Sequence, residues 1–180
     1  VMEPRQNVPH EYTKQNAGAD VTFRPFQPLS LKTGYEWERW DRDDGREVTE
    51  ANEHTMKGVV DVTPLSWLLV RGSYAKSWRL AGPYNTLAHL AHTLTTEEDV
   101  DAEAPFFQFP LLRKFDEADR NRDKGMILAQ ITPFDTLSLT ASYSLALDDY
   151  PDSSYGITKG ENWSASGDIT YSPLSWLSLY

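Results

Sequence analysis

The sequence contains no cysteine. That excludes disulfides and thiolate metal sites, and it excludes covalent c-type haem attachment through C-x-x-C-H. Any haem function in which the chain takes part must come from another chain, or from a part of the protein outside these residues. Long apolar runs are missing as well. No stretch approaches the about 18 apolar residues of a membrane helix, and the mean hydropathy is −0.56. A helical membrane protein is thereby excluded, but a barrel is not, because its strands need only about ten residues and alternate. Basic charge is scarce: 17 Lys and Arg against 27 Asp and Glu leave a net charge of −10. A nucleic-acid surface would be basic, so nucleic acid is not an expected partner.

What is present is repetition, which marks one supersecondary unit used several times. Aligned on its proline, a unit appears at Pro25 (FRPFQPLSLKTGYEW), Pro64 (VTPLSWLLVRGSY), Pro133 (ITPFDTLSLTASY) and Pro173 (YSPLSWLSLY), at intervals of 39, 69 and 40 residues. The long interval carries about 30 extra residues, an insertion expected at 79–123. Each unit reads as two strands joined by a tight turn, with the proline where the first strand stops because it has no N–H for the ladder.

Period-two alternation follows each turn. Leu29, Leu31, Thr33, Tyr35 and Trp37 align with Leu68, Val70, Gly72, Tyr74 and Lys76, then with Leu137, Leu139, Ala141, Tyr143 and Leu145. The intervening positions are small, polar or charged. Strands are expected at 19–24 and 28–39, 54–63 and 67–78, 124–132 and 136–147, and 162–171, with a last one opening at Leu174. Residues 1–18, 41–52 and 148–156 read as polar loops. The chain begins on valine and stops inside a repeat whose siblings run further, so it reads as part of a longer chain.

Short turns at one end and long polar loops at the other are the pattern of an outer-membrane barrel. The expected fold is therefore all-β: an antiparallel up-and-down transmembrane β-barrel, about eight strands of a larger one, with periplasmic turns and extracellular loops. The whole of 1–180 would belong to that one domain. Ten steps from Leu68 to Trp78, at about 3.3 Å each and tilted about 40°, span roughly 25 Å, the height of the apolar band. Tyr35, Trp37, Tyr74, Trp78 and Tyr143 would form the outer interfacial girdle; Phe23, Trp67, Tyr171 and Trp176 lie toward the turns. Lys76 departs from the apolar frame and must snorkel to the interface. The competing architecture is a soluble sandwich, whose strands also alternate.

The polar frame places Asp20, Lys32, Glu36, Glu38, Asp61, Arg71 and Asp168 toward a lumen of mixed sign, where they solvate the interior or pair with a protein inserted into it. Other chemistry is thin. His89 and His92 (HLAH) lack the Glu of a metalloprotease helix. Asp119, Asn121 and Asp123 (DRNRDKG) have the oxygen-rich look of a calcium loop, but Gly125 falls one place late and no Glu closes it. The acidic run 96–103 reads as a solvated loop. No catalytic constellation, metal site or cofactor site is expected, and the chain is not read as an enzyme.

Three segments carry a resemblance: LRKFDEADRNRDK (112–124), DDYPDSSYGITKGENWSASGDITYSPLSWLSLY (148–180) and WDRDDGREVTEANEHTMKG (40–58). Together with the proline-centred hairpin they resemble the MtrB/PioB family of decahaem-associated outer-membrane proteins. The resemblance implies a large barrel in a Gram-negative outer membrane that sheathes a periplasmic multihaem c-type cytochrome and insulates its haems from lipid, with an extracellular multihaem cytochrome as a further possible partner. Haem would sit on the partner and none on this chain. It implies no catalytic residues. A diffusion porin or substrate transporter stands as the alternative, and a soluble secreted sandwich as a second.

Overall fold

Eight antiparallel strands follow one another in a single meander: β1 (Tyr12–Phe26), β2 (Leu29–Arg42), β3 (Glu50–Leu65), β4 (Leu68–Ala81), β5 (Arg120–Phe134), β6 (Leu137–Asp149), β7 (Lys159–Leu174) and β8 (Leu177–Leu179). The structure, a computed structural model, describes residues 11–43, 45–86, 88, 111–174 and 176–179. His89, His92 and the acidic run 96–103 lie outside the described residues. Among the described residues each strand pairs only with its chain neighbours, so the sheet is an open wall and not a closed cylinder.

The repeat is visible in the hydrogen bonding. Phe26 faces Leu29, Leu65 faces Leu68, Phe134 faces Leu137 and Leu174 faces Leu177, so every turn has two residues. Each proline lies inside the paired region, which corrects the expectation that the strand stops there. In all four hairpins two residues oppose one: Arg24 and Pro25, Thr63 and Pro64, Thr132 and Pro133, and Ser172 and Pro173. A bulge leaves a residue unpaired, so the imino acid has no ladder bond to miss there. The residue before the proline then laces adjacent hairpins: the N–H groups of Thr63, Thr132 and Ser172 donate to the carbonyls of Pro28, Trp67 and Thr136 at 3.0, 2.8 and 2.7 Å.

The strands are also longer than their apolar alternation indicates. β1 begins at Tyr12 within a stretch expected to be loop, β4 runs on to Ala81, and β5 starts at Arg120. The insertion is thereby trimmed to 82–119. The final strand opens at Leu177, since Leu174 closes β7. These extensions are mostly polar or charged and show no apolar alternation, so nothing in hydrophobic periodicity marks them; their backbone pairing continues regardless.

Successive hairpins are offset by two residues. Leu29 and Leu68 are equivalent in the repeat, yet the register carries Leu29 through Val62 to Val70. Leu68 likewise reaches Leu139 in place of its equivalent Leu137, and Leu137 reaches Leu179 in place of Leu177. Two residues at about 3.3 Å along the chain, over two strands about 4.8 Å apart, correspond to a tilt of roughly 35°. That is the inclination of transmembrane barrels, and it brings the four turns to one level. Tyr35, Tyr74 and Tyr143 come to a common level in the same way.

The two faces divide as the alternation demands. Leu31, Val60, Ile127 and Ile169 share one face and stand 36%, 43%, 56% and 62% exposed, with no second sheet over them among the described residues. A soluble sandwich would cover these side chains with a second sheet, and among the described residues none does. Asp20, Gly34 and Lys57 form one row on the opposite face. Gly34 lets its neighbours meet across it: a Cβ there would collide with Asp20 Oδ1 and come within 2.7 Å of Lys57 Cε. At Gly58 an added Cβ meets nothing within 4 Å. Gly34→Ala is therefore expected to cost about 1–2 kcal/mol. Gly58→Ala should gain about 0.5–1 kcal/mol from the glycine's lost chain entropy. Urea unfolding of the full-length protein in detergent checks both, and equal effects would show that the crossing over Gly34 is dispensable.

Candidate functional site

The polar face presents side chains from every long strand. All seven residues expected there, Asp20, Lys32, Glu36, Glu38, Asp61, Arg71 and Asp168, share it by register. Strand extension adds residues that periodicity missed, Lys14, Glu53, Arg79, Arg120, Arg122 and Asp148, and Lys57 inside an expected strand joins them. The same odd-even rule finds them once the strands are drawn to their true ends.

These charges pair with one another across strands. Arg71 grips Asp61 with two bonds of 2.6 and 2.9 Å, and Arg122 grips Asp148 with 2.6 and 2.8 Å. Lys57 reaches Glu36 at 2.7 Å and Asp20 at 3.3 Å, and Lys32 reaches Asp20 at 3.2 Å. Lys14 meets Glu38 at 2.8 Å and Arg120 meets Glu53 at 2.7 Å. Hydroxyls take over on β6 and β7, where Ser142 and Ser144 bond Ser166 and Ser164, both at 2.8 Å. The exposed ones among these pairs contribute about 0–1 kcal/mol each. Collectively they give a face of mixed charge most of whose ions already have partners.

The apolar face carries Tyr35, Trp37, Tyr74, Trp78, Tyr143 and Tyr171, while Trp67 and Trp176 occupy turns. At the loop end the tyrosine and tryptophan groups find polar partners. Tyr35 shares a 2.5 Å hydrogen bond with His54 Nδ1, His54 stacks on Trp78, and Trp37 Nε1 donates to Asn52 at 3.3 Å. Lys76 pairs with Asp123 at 2.6 Å, and Tyr74 donates to the same carboxylate. The lysine is thus neutralised in place and need not rely on snorkelling. Asp123 and Asn121 are strand residues committed to the β4–β5 pairing, so the oxygen-rich stretch Asp119–Asp123 does not form a loop. Among the described residues no group of three acidic or histidine side chains is placed to hold a metal.

At the loop end, the three segments that carried the family resemblance converge. Arg46 binds Glu117 and Asp116, both at 2.5 Å, and Lys114 pairs with Glu47. Arg42 donates to the Asp116 carbonyl at 3.3 Å, Arg79 to the carbonyls of Ala118 at 2.9 Å and Phe115, and the Ala81 N–H to Asp119 at 2.5 Å. Ser154 and Tyr155 each donate an N–H to the Leu111 carbonyl at 3.1 Å. Glu47, Val48, Glu117 and Ala118 are fully buried. Gly156, at φ 84°, turns the chain against Leu112 where a Cβ would stand 2.9 Å from that side chain.

Burial pushes the Glu117 carboxyl above its usual value, and nearby Glu47 adds to the rise, against the pull of Arg46. Burial and Asp152 raise Asp119 similarly, although the Ala81 N–H opposes them. A carboxyl with a raised folded pKa binds more protons folded than unfolded, so this part of the loop packing weakens as pH climbs from the ordinary 4.5 of Glu through the raised value. Hydrogen exchange at Val48 and Ala118 should therefore quicken across that window. Glu117→Gln should flatten part of the dependence; an unchanged profile would remove Glu117 from it.

A tilted antiparallel meander with an apolar outer face, a polar face opposite and an aromatic-rich rim defines a segment of a transmembrane β-barrel wall, sited in the outer membrane. The chain belongs to the MtrB/PioB family: the family model described as outer membrane beta-barrel porin, MtrB/PioB, matches residues 2–180. It is 27% identical over 168 residues to outer membrane protein MtrB of Shewanella baltica, a match covering 92% of this chain and 22% of that protein. It is also 29% identical over 76 residues to a protein named hemin receptor from Yersinia pestis, covering 40% of this chain and 11% of the relative. The chain thus spans about a fifth of the length of the first relative and less of the second.

Proposed function

We propose that these strands form part of the wall of a barrel that sheathes a multihaem c-type cytochrome, so that electrons cross the outer membrane along haems kept apart from lipid. The polar face lines the lumen in this reading, with Asp20, Lys32, Glu36, Glu38, Asp61, Arg71 and Asp168 among the groups that meet the partner. The carrying observation is the in-plane pairing of that face. A protein surface laid against it strands few charges, because Arg71, Arg122 and Lys57 already hold carboxylates. The absence of cysteine supports placing the haem on the partner and not on this chain. An extracellular multihaem cytochrome docking at the loop end extends the same reading. The chain works as a structural wall, without catalysis.

The porin wording of the family description favours a second reading, an open lumen that passes solutes. Affinity purification of the full-length protein in detergent separates the two. A haem-staining partner should co-elute, and its retention should change little between about 0.1 and 0.5 M salt, since screening acts weakly on a face most of whose charges are already paired. A haem-free barrel that conducts solutes would overturn the sheath and leave the porin.

A further inference from the structure

The described end of the insertion, residues 111–119, lies on the polar side of the sheet. Arg42 and Arg79 project from the polar face, opposite Tyr12 and Glu53 respectively, and they donate into the backbone of residues 115–118. A cavity of about 420 Å³ confirms the side: Glu38, Trp40, Glu53, Arg79 and Arg120 line it from the strands, and Arg46 and Asp116 close it from the loops. Residues 111–119 therefore arch over the polar face at its loop end. The arch is clamped at several points, with Glu117 and Ala118 fully buried and Leu111 braced by Ser154 and Tyr155.

We propose that residues 111–119 form a fixed constriction across the outer mouth of the barrel, which narrows the lumen against hydrophilic solutes whether or not a protein occupies it. This rests on the reading that the polar face lines the lumen. It gives the motif LRKFDEADRNRDK a physical task, since a barrel wide enough for a protein leaks at its rim unless something bridges the gap. Lys114, Asp116, Glu117 and Asp119 supply side-chain anchors, and Phe115 and Ala118 supply carbonyls, so the spacing of the motif matches the spacing of the clamps.

The test uses the full-length protein, made in a host without multihaem cytochromes and reconstituted in liposomes, with swelling measured in a monosaccharide and a tetrasaccharide. Arg42→Ala/Arg79→Ala should release the arch, seen as faster hydrogen exchange at 115–118, and should raise tetrasaccharide entry several-fold. If that variant fails to insert, replacing 112–117 with a Gly-Ser linker of equal length gives the same readout. Faster exchange with wild-type swelling would overturn the constriction, as would wild-type protein already passing the tetrasaccharide as fast as the released variants. Loss of the haem-bearing partner in the purification above would sink the sheath alone and leave this result standing.

Discussion

The two-residue offset between hairpins is the constraint on which everything else in this wall depends. A sheet with no offset would set its strands upright, without the tilt and stagger that a closed barrel needs. With two residues gained per hairpin the strands lean by roughly 35°, and the turns fall at one level. The bulge at each proline sets up the turn end by absorbing one residue in the first strand of each pair, and bulges increase local twist as they do so. Outside the bulges, backbone pairing runs on from β1 through β7, as hydrocarbon requires of any spanning segment.

Given that geometry, the polar face is organised by proximity across strands and not by sequence neighbours. Asp20, Gly34 and Lys57 lie in one row on three strands, and the ion pair forms only because the middle residue has no side chain. Arg71 and Asp61 stand directly opposite, as do Arg122 and Asp148, the arrangement in which cross-strand pairs interact best. The chain is acidic overall, yet this face holds Lys14, Lys32, Lys57, Arg71, Arg120 and Arg122 against carboxylates at bonding distance. A wall built in this way offers a neighbour hydrogen bonds and shape more than a net field, which is the reason its proposed grip on a partner is insensitive to salt.

Parity was legible in the sequence because hydrocarbon on one side and water on the other impose it on every spanning residue. Leu31, Val70 and Leu139 fell on one face and Lys32 and Arg71 on the other, as the alternation demands. Strand ends were not legible. Tyr12–Gly18 and Arg120–Asp123 lie beyond the apolar alternation, where polar residues occupy both faces and only the ladder continues. Pairing partners were hidden for a related reason: matching Lys57 to Asp20 needs the register across two strand boundaries, and the register depends on turns and bulges whose lengths the prolines only approximate. Lys76 is the clearest case. Read alone it looked like a misplaced charge, and only the opposing Asp123, 47 residues later, accounts for it.

The loop end follows a different logic. There the fully buried residues include Glu47 and Glu117, charged groups that would be placed on the surface by composition alone. Burying a carboxylate costs several kcal/mol unless it is paired and hydrogen-bonded. Arg46 and Lys114 supply that compensation, each reaching from its own loop to the carboxylate of the other. Such a cluster tolerates little change, because removing one partner leaves the other stranded. Hairpin residues need only keep their parity. This difference explains why the segments at 40–58, 112–124 and 148–180 carried a specific family resemblance while the proline hairpin by itself did not: specificity of sequence follows specificity of contact, and in this wall the most specific contacts are between the loops.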